Sequence, residues 1–152
     1  MKLIVAILVL AISVSNSNGQ SETLRKAHFN TKNGLALDGY DPVSYFQGKP
    51  QRGLSSFRIT YKAVTYHFVS ASNLAKFKSA PDQYEPAYGG WCAYAMGENA
   101  EKVKIDPETF KILAGRLYLF YNFWGNNTLK DWEKDEKKLQ AAADHNWKNI
   151  VR

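Results

Sequence analysis

The sequence predicts an α+β domain with two β-hairpins, several short helices and a long C-terminal helix. Two segments alternate aromatic or β-branched residues with polar ones on either side of a short turn, and an apolar pattern of helical period runs to the last residues. The 152 residues suffice for one domain with its own core.

The N-terminus has the layout of a secretory signal. Lys2 precedes an unbroken apolar run, residues 3–12, and Ser, Asn and Gly residues follow. The run is about half as long as a membrane span requires. We therefore expect residues 1–19 to be a signal peptide, with cleavage after Ser15, Ser17 or Gly19, and a secreted or periplasmic protein without stable membrane insertion. Residues 20–36 are expected to form a lead-in segment, and residues 37–152 the domain.

The first elements of the domain are marked by a cap and an alternating pattern. Asp41 followed by Pro42 favours a short helix that ends near Gln47. The alternation over residues 56–69 predicts a β-hairpin with its turn near Lys62-Ala63.

Two more helical turns and a strand are expected further along the chain. Ser70 is placed to cap a helix that ends at Pro81, and residues 81–84 add one turn. Lys102 to Ile105 is predicted as a short strand, and Asp106-Pro107 as the start of another helical turn.

The last part of the chain predicts a second hairpin and the long helix. The hairpin spans residues 110–121 with its turn at Ala114-Gly115. Thr128 with Asp131 resembles a capping box at the start of one helix that continues to the end. The sequence shows no internal repeat.

Charge and cysteine content exclude several function classes. The formal net charge is +6, but the basic residues are spread evenly rather than forming the stripe typical of nucleic-acid binding. Cys92 is the single cysteine, so an intramolecular disulfide and a zinc site built on several thiolates are both excluded.

Three blocks of the sequence resemble the secreted, stand-alone branch of the YHS-domain family. The blocks are LDGYDPVSYF, YHFVSASNLAKFKSAPDQYEPAYGGWCAYA and KILAGRLYLFYN, and the tryptophan-containing helix follows them. The resemblance covers about Leu37 to Trp147. It implies the family fold, and for the stand-alone branch it implies no settled biochemical activity.

The resemblance also bears on metal binding. The metal-associated members of the group carry cysteines in an Asp-Pro-Val-Cys start and a Phe-Cys-Ser-x-x-Cys turn. Ser44, Val69 and Asn73 stand at those positions in this chain. We therefore expect the fold to carry over and the thiolate metal site to be absent.

A replacement metal site is one functional hypothesis. Cys92 and Met96 are four residues apart and would share a helix face, and His67 would approach from the first hairpin. These ligand types suit copper, as a cuprous ion, or another transition metal. The alternative is that Cys92 and Met96 are core residues and that His67 lies on the other face of its strand.

Aromatic residues in the loop blocks suggest a second hypothesis, a pocket for a small ligand or a flat cofactor such as haem. They either line such a pocket or form the core, and we expect the core; the residues are Tyr40, Tyr45, Tyr84, Tyr88, Trp91 and Tyr94. Asp38 and Asp41 are likewise expected to be loop and helix-cap residues.

Catalysis is the least supported function class. A thiol-dependent enzyme would use Cys92 with His67 and a third residue to orient the imidazole. Asp38 or Asp41 could be nominated for that role, but no feature of the sequence selects either. Motifs for phosphate binding or a serine nucleophile are missing from the sequence. We expect a non-enzymatic module that binds a metal ion or small molecule, or a structural or interaction protein without a ligand. Asn126 begins an N-glycosylation acceptor sequence that matters only in a eukaryotic secretory pathway.

Overall fold

The computed structural model describes the backbone of residues 17–152 and the side chains of residues 21–152. The α+β class with two principal hairpins and a long C-terminal helix is confirmed. The elements are α1 (Ser17–His28), β1 (Thr31–Lys32), β2 (Leu35–Ala36), α2 (Pro42–Phe46), β3 (Leu54–Tyr61), β4 (Val64–Phe68), α3 (Ala71–Ser79), α4 (Pro81–Tyr84), α5 (Ala93–Asn99), β5 (Asp106–Leu113), β6 (Arg116–Phe120), β7 (Asn122–Phe123), β8 (Asn126–Asn127), α6 (Thr128–Trp132) and α7 (Glu136–Ile150).

The predicted signal lies outside the described residues, except that Ser17–Gly19 belong to the start of α1. In residues 17–152, no helix combines the length and the apolar character that a membrane crossing demands.

The same turn-and-helix arrangement occurs at two places in the domain. The sequence does not predict this similarity. Each copy begins with three consecutive residues in the left-handed backbone region, an arrangement that costs energy wherever the residue is not glycine. An extended aromatic residue, a buried cap residue and a short helix follow. The first turn–helix unit comprises Leu37–Gly39, Tyr40, Asp41 and α2; the second comprises Tyr88–Gly90, Trp91, Cys92 and α5.

The two principal hairpins have the same register, including a bulge at the same place. The corresponding pairs are Leu54–Phe68 and Asp106–Phe120 before the bulge, then Arg58–His67 and Phe110–Leu119, Ile59–Tyr66 and Lys111–Tyr118, Thr60–Thr65 and Ile112–Leu117, and Tyr61–Val64 and Leu113–Arg116. The link from unit to hairpin also repeats. The backbone N–H of Asp41 donates to the carbonyl of Gln51 (2.8 Å), and that of Cys92 donates to the carbonyl of Val103 (3.0 Å). We call residues 35–79 the first half and residues 86–132 the second half.

The second hairpin lies between two apolar clusters. Leu117 and Leu119 of β6 face a cluster that includes the β4 residue Phe68. Tyr118 and Phe120 face the opposite cluster, which includes residues of α5, α6 and α7. Because both faces of β6 are buried, its sequence is an apolar run instead of the alternating pattern of β4.

Helix α7 covers the second half at close range. A Cβ atom on Gly97 of α5 would lie 2.5 Å from the carbonyl oxygen of Leu139, so only glycine permits this approach. The fifth residue of α2, which matches Gly97, is Phe46, and its ring packs edge-on against Tyr84 at 5.2 Å. The matching helices therefore differ in what they accept as a neighbour.

Several predicted elements are confirmed with their caps. The Asp41 side chain caps α2, and the Ser70 hydroxyl accepts the N–H of Asn73 at the start of α3. Pro81 begins the separate turn α4, and the first hairpin turns at Lys62-Ala63.

Other expectations are wrong. Residues 102–105 form no strand, and Asp106 opens β5 instead of a helical turn, because its carboxylate binds Glu108 N and Thr109 Oγ1 within the bulge. The Thr128 hydroxyl donates to the carbonyl of Tyr121, so Asn127 is the cap of α6. The expected single C-terminal helix is two helices, α6 and α7.

The segment expected as a lead-in contains α1, β1 and β2. The guanidinium of Arg25, on α1, forms a two-bond ion pair with Glu85, which also accepts the Tyr66 hydroxyl at 2.6 Å. Arg25 also lies over the ring of Phe29 at 4.1 Å. This part of the chain is therefore tied to the domain by a charge pair that local sequence patterns do not reveal.

Candidate functional site

A buried carboxylate organises the first turn–helix unit. The Asp41 side chain is fully buried, and its Oδ1 accepts the backbone N–H groups of Val43 (2.8 Å) and Ser44 (3.3 Å). Its Oδ2 accepts the N–H of Val69 (2.9 Å) and the side-chain amide of Asn73 (2.7 Å). The helix-cap role expected for Asp41 is confirmed, and the same side chain also joins α2 to the end of β4 and to α3.

Ser44, Val69 and Asn73, the positions at which the family resemblance places metal-binding cysteines, meet around this carboxylate. Besides its N–H, Ser44 contributes a hydroxyl that donates to the Asp41 carbonyl (2.6 Å) and accepts the N–H of Gln51 (2.9 Å). A carboxylate offers about four lone-pair sites, and four donors occupy those of Asp41. The arrangement leaves this carboxylate no free lone pair for a cation.

Cys92 takes the place of Asp41 in the second half. Its sulfur lies 3.4 Å from the Thr128 hydroxyl oxygen and accepts the N–H of Tyr121 at the same distance. Because the Thr128 hydroxyl hydrogen goes to the Tyr121 carbonyl, the thiol donates to Thr128. The side chain is fully buried, and the second half therefore has a buried thiol where the first half has a buried carboxylate.

The three residues of the hypothetical copper site have separate surroundings. His67 alternates along β4 with the buried Tyr66 and Phe68, so its ring faces away from the cluster that contains Cys92. Met96 belongs to the other apolar cluster. Burial and the neighbouring charge of Arg58 lower the pKa of His67. Within residues 21–152, no group of three or more His, Cys, Asp or Glu side chains is arranged to hold a metal ion.

The six aromatic residues considered for a ligand pocket are divided between the two apolar clusters. Tyr45 and Tyr88 are buried, with hydroxyls that donate to the Pro107 carbonyl (2.7 Å) and to Asp144 (3.0 Å). Burial raises the pKa of both phenols. The Trp91 indole donates to the His28 carbonyl (2.6 Å). The partly buried members pack against the clusters; they are Tyr40, Tyr84, Trp91 and Tyr94.

An open groove with three basic residues in its lining lies in front of β1 and the first left-handed turn. One part, about 550 Å³, is lined by Lys32, Asn33, Leu35, Asp38 and Arg52. It continues into a part of about 420 Å³ that shares Lys32 and Asp38 and adds Asn30, Thr31, Lys104, Ile105 and Phe123. We call the two parts the basic groove.

The Arg52 side chain is held in position at the groove wall. Its guanidinium donates to the Asp38 carbonyl (2.9 Å) and lies 4.9 Å from the centre of the Tyr40 ring. Asp38 itself has a positive φ of 50°, so the turn that supplies this carbonyl is in a backbone conformation that non-glycine residues rarely adopt.

A hairpin tip beside the groove exposes two aromatic side chains. Trp124 and Gly125 form the two-residue turn between β7 and β8, with φ values of 51° and 78°. Trp124 is 93% exposed and Phe123 is 40% exposed, and their rings lie 6.1 Å apart. We call Phe123 and Trp124 the aromatic tip.

Neither the groove nor the tip is predicted as a functional site by the sequence. Lys32, Arg52 and Lys104 come from three distant segments, so no local motif contains them. The one local signal for the tip is Gly125, because glycine readily adopts the positive φ of a hairpin turn. Asn126, the possible glycosylation position, is exposed on β8 next to this tip.

Comparison of the chain with models of protein families, with curated proteins and with solved structures gives no match.

Proposed function

We propose that this chain is a YHS-type domain that acts outside the cytoplasm as a non-catalytic binding module. Its ligand is a small anion that occupies the basic groove. The YHS assignment draws on the three sequence blocks and on the convergence of Ser44, Val69 and Asn73 around Asp41. The extracytoplasmic location draws on the signal-like residues 1–19.

One observation carries the binding proposal. Lys32, Arg52 and Lys104 border the same groove, and among the described residues none of the three has a carboxylate within ion-pair distance. Cations that are not already paired are available for an anionic ligand, and a positioned guanidinium binds carboxylates and phosphates through two parallel hydrogen bonds. Leu35 and Ile105 add apolar surface to the same groove.

The reactive side chains support a non-catalytic role. The Cys92 thiol is buried and bonded on both sides, whereas a catalytic thiolate needs access and an activating partner. The Asp41 carboxylate is also buried, and all of its acceptor sites are occupied by four donors.

Titration with phenyl phosphate, an anion that carries a small apolar ring, tests the proposal. We expect amide NMR shifts confined to residues 30–38, 52 and 104–105, and about tenfold weaker binding for Arg52→Gln. Lys130→Gln, on α6, is the matched control for loss of one positive charge and should bind normally. Shifts that are scattered, or equal binding by both variants, would contradict the proposal.

The metal alternative is tested on the same samples. A copper site at Cys92 predicts that Cu(I) raises the thermal midpoint of the wild type but not that of Cys92→Ala. We expect no such difference.

A further inference from the structure

The aromatic tip is an addition to the repeated framework. In the first half, α3 begins shortly after β4 ends, whereas in the second half the β7–β8 hairpin stands between β6 and α6. The first half shows that unit, hairpin and helix assemble without such an insertion. Packing of the framework therefore does not account for the residues of this hairpin.

The backbone of the tip carries a cost that folding alone does not explain. A two-residue turn of this type needs positive φ at both positions and favours asparagine or aspartate at the first. Here the first position is Trp124, a bulky residue for which positive φ is unfavourable. The indole gains no burial in return, since it is 93% exposed. Such a side chain is expected to be buried by something outside the domain.

The hairpin is firmly mounted. Its strands pair at Asn122–Asn127 and Phe123–Asn126. The Asn122 side chain donates to the Thr109 hydroxyl (3.0 Å), and the backbone N–H of Thr128 donates to the Tyr121 carbonyl (3.0 Å). The tip is thus presented on a defined base at the end of the basic groove, which Phe123 helps to line.

We propose that the aromatic tip and the basic groove together dock the protein on an anionic lipid surface. The inference rests on the proposed function, since the groove supplies the contacts to the headgroup anions. Trp124 and Phe123 would enter the interface between headgroups and acyl chains, where tryptophan is favoured. Lys32, Arg52 and Lys104 would remain at headgroup level, where cations are attracted to anionic lipids.

The shape and charge of this surface favour lipid over other occupants. The tip is convex, and a fluid interface deforms around a protrusion, whereas a folded partner needs a matching cavity. The six hairpin residues, 122–127, carry no charge, so their transfer into the interface removes no ionised group from water. The cations lie next to the apolar tip, which is the arrangement of peripheral membrane proteins that combine apolar burial with electrostatic attraction.

Vesicle sedimentation of the purified chain tests this proposal. We expect binding to mixed phosphatidylcholine–phosphatidylserine vesicles, little binding to pure phosphatidylcholine, and a decrease with added salt. Trp124→Ala should reduce binding about tenfold or more, because apolar burial is lost. Leu54→Ala is the matched control, since it removes another exposed apolar side chain from a different sheet, and it should bind like the wild type.

Phenyl phosphate distinguishes failure of this inference from failure of the proposed function. Trp124→Ala should bind this soluble anion normally, while Arg52→Gln should bind both the anion and the vesicles about tenfold more weakly. If the wild type binds phenyl phosphate but not mixed vesicles, or if Trp124→Ala sediments like the wild type, lipid docking is wrong and the groove proposal stands. Binding to heparin that depends on Trp124, without vesicle binding, would also overturn lipid docking and assign the surface to an anionic polysaccharide.

Discussion

The two halves use different side chains to accept the backbone N–H that follows each principal hairpin. In each, the side chain of the cap residue accepts the N–H of the first residue after the hairpin, Val69 in the first half and Tyr121 in the second. Asp41 performs this role with a carboxylate and four donors, and Cys92 performs it with a thiol that contacts one N–H and one hydroxyl. Both halves thus have an acceptor side chain at this point, and either a carboxylate or a thiol can supply it.

The halves also differ in what surrounds them. One face of β4 is partly exposed, whereas both faces of β6 are buried. The β7–β8 insertion belongs to the second half alone. The first half thus has a buried polar network around Asp41. The second half has an apolar interior and carries the exposed aromatic tip.

The largest effect is expected from removing the carboxylate. Asp41→Ala leaves four donors without their acceptor, including the buried amide of Asn73, and should lower the free energy of unfolding by about 3–5 kcal/mol. Urea denaturation measures this loss. Asp38→Asn is the control, because Asp38 is exposed and asparagine tolerates its positive φ. A loss below about 1 kcal/mol for Asp41→Ala would contradict the claim that this carboxylate organises the first half.

An intermediate loss of unfolding free energy is expected when Cys92 of the second half is replaced by aspartate, the residue at the matching position of the first half. A carboxylate at position 92 would keep the N–H of Tyr121 but would have no counterpart of the Asn73 amide, so Cys92→Asp should cost about 2–3 kcal/mol. Met96→Asp places the same group in an apolar cluster without such donors and should cost about 4 kcal/mol. Thermal or urea unfolding of both variants decides the matter. Equal losses would show that the units share a backbone path but not a donor arrangement.

The smallest effect concerns the exposed face of the first hairpin. The pKa of His67 is lowered in the fold by burial and by Arg58, so the unfolded chain takes up this proton first as the pH falls. The contribution of His67 is therefore complete above about pH 6.5 and declines as the pH drops through the folded pKa. His67→Leu copies Leu119 at the matching register position. Denaturation curves at several pH values should show a shallower acid decline for this variant; an unchanged decline would contradict the assignment.

Local signals predicted most elements of the fold. The alternation in both hairpins, the Asp41-Pro42 pair, Ser70 and Pro81 act within a few residues, and the structure confirms them. The ion pair between Arg25 and Glu85 joins distant segments, so no local pattern predicts that α1 belongs to the domain.

The repeat and the candidate site required three-dimensional information. The two halves share backbone φ values, strand register and backbone hydrogen bonds. The residue types at matching positions differ, as at Asp41 and Cys92, so the sequence does not show the repeat. The basic groove unites residues from three segments. His67, Cys92 and Met96 have the chemical type of copper ligands, but strand alternation turns His67 away from the interior that holds Cys92.

The different cap residues, Asp41 and Cys92, affect which hairpin each turn–helix unit packs against during folding. A chain that contains two similar units and two similar hairpins risks pairing a unit with the wrong hairpin, in one molecule or between two. With the second hairpin, the Asp41 carboxylate would keep an N–H from Tyr121 but lose the amide of Asn73, and a buried charge short of donors is costly. The thiol of Cys92 would suffer the opposite mismatch, facing donors it cannot fully satisfy. We therefore expect each unit to favour its own hairpin, and the chemical difference between the halves to disfavour exchange between molecules.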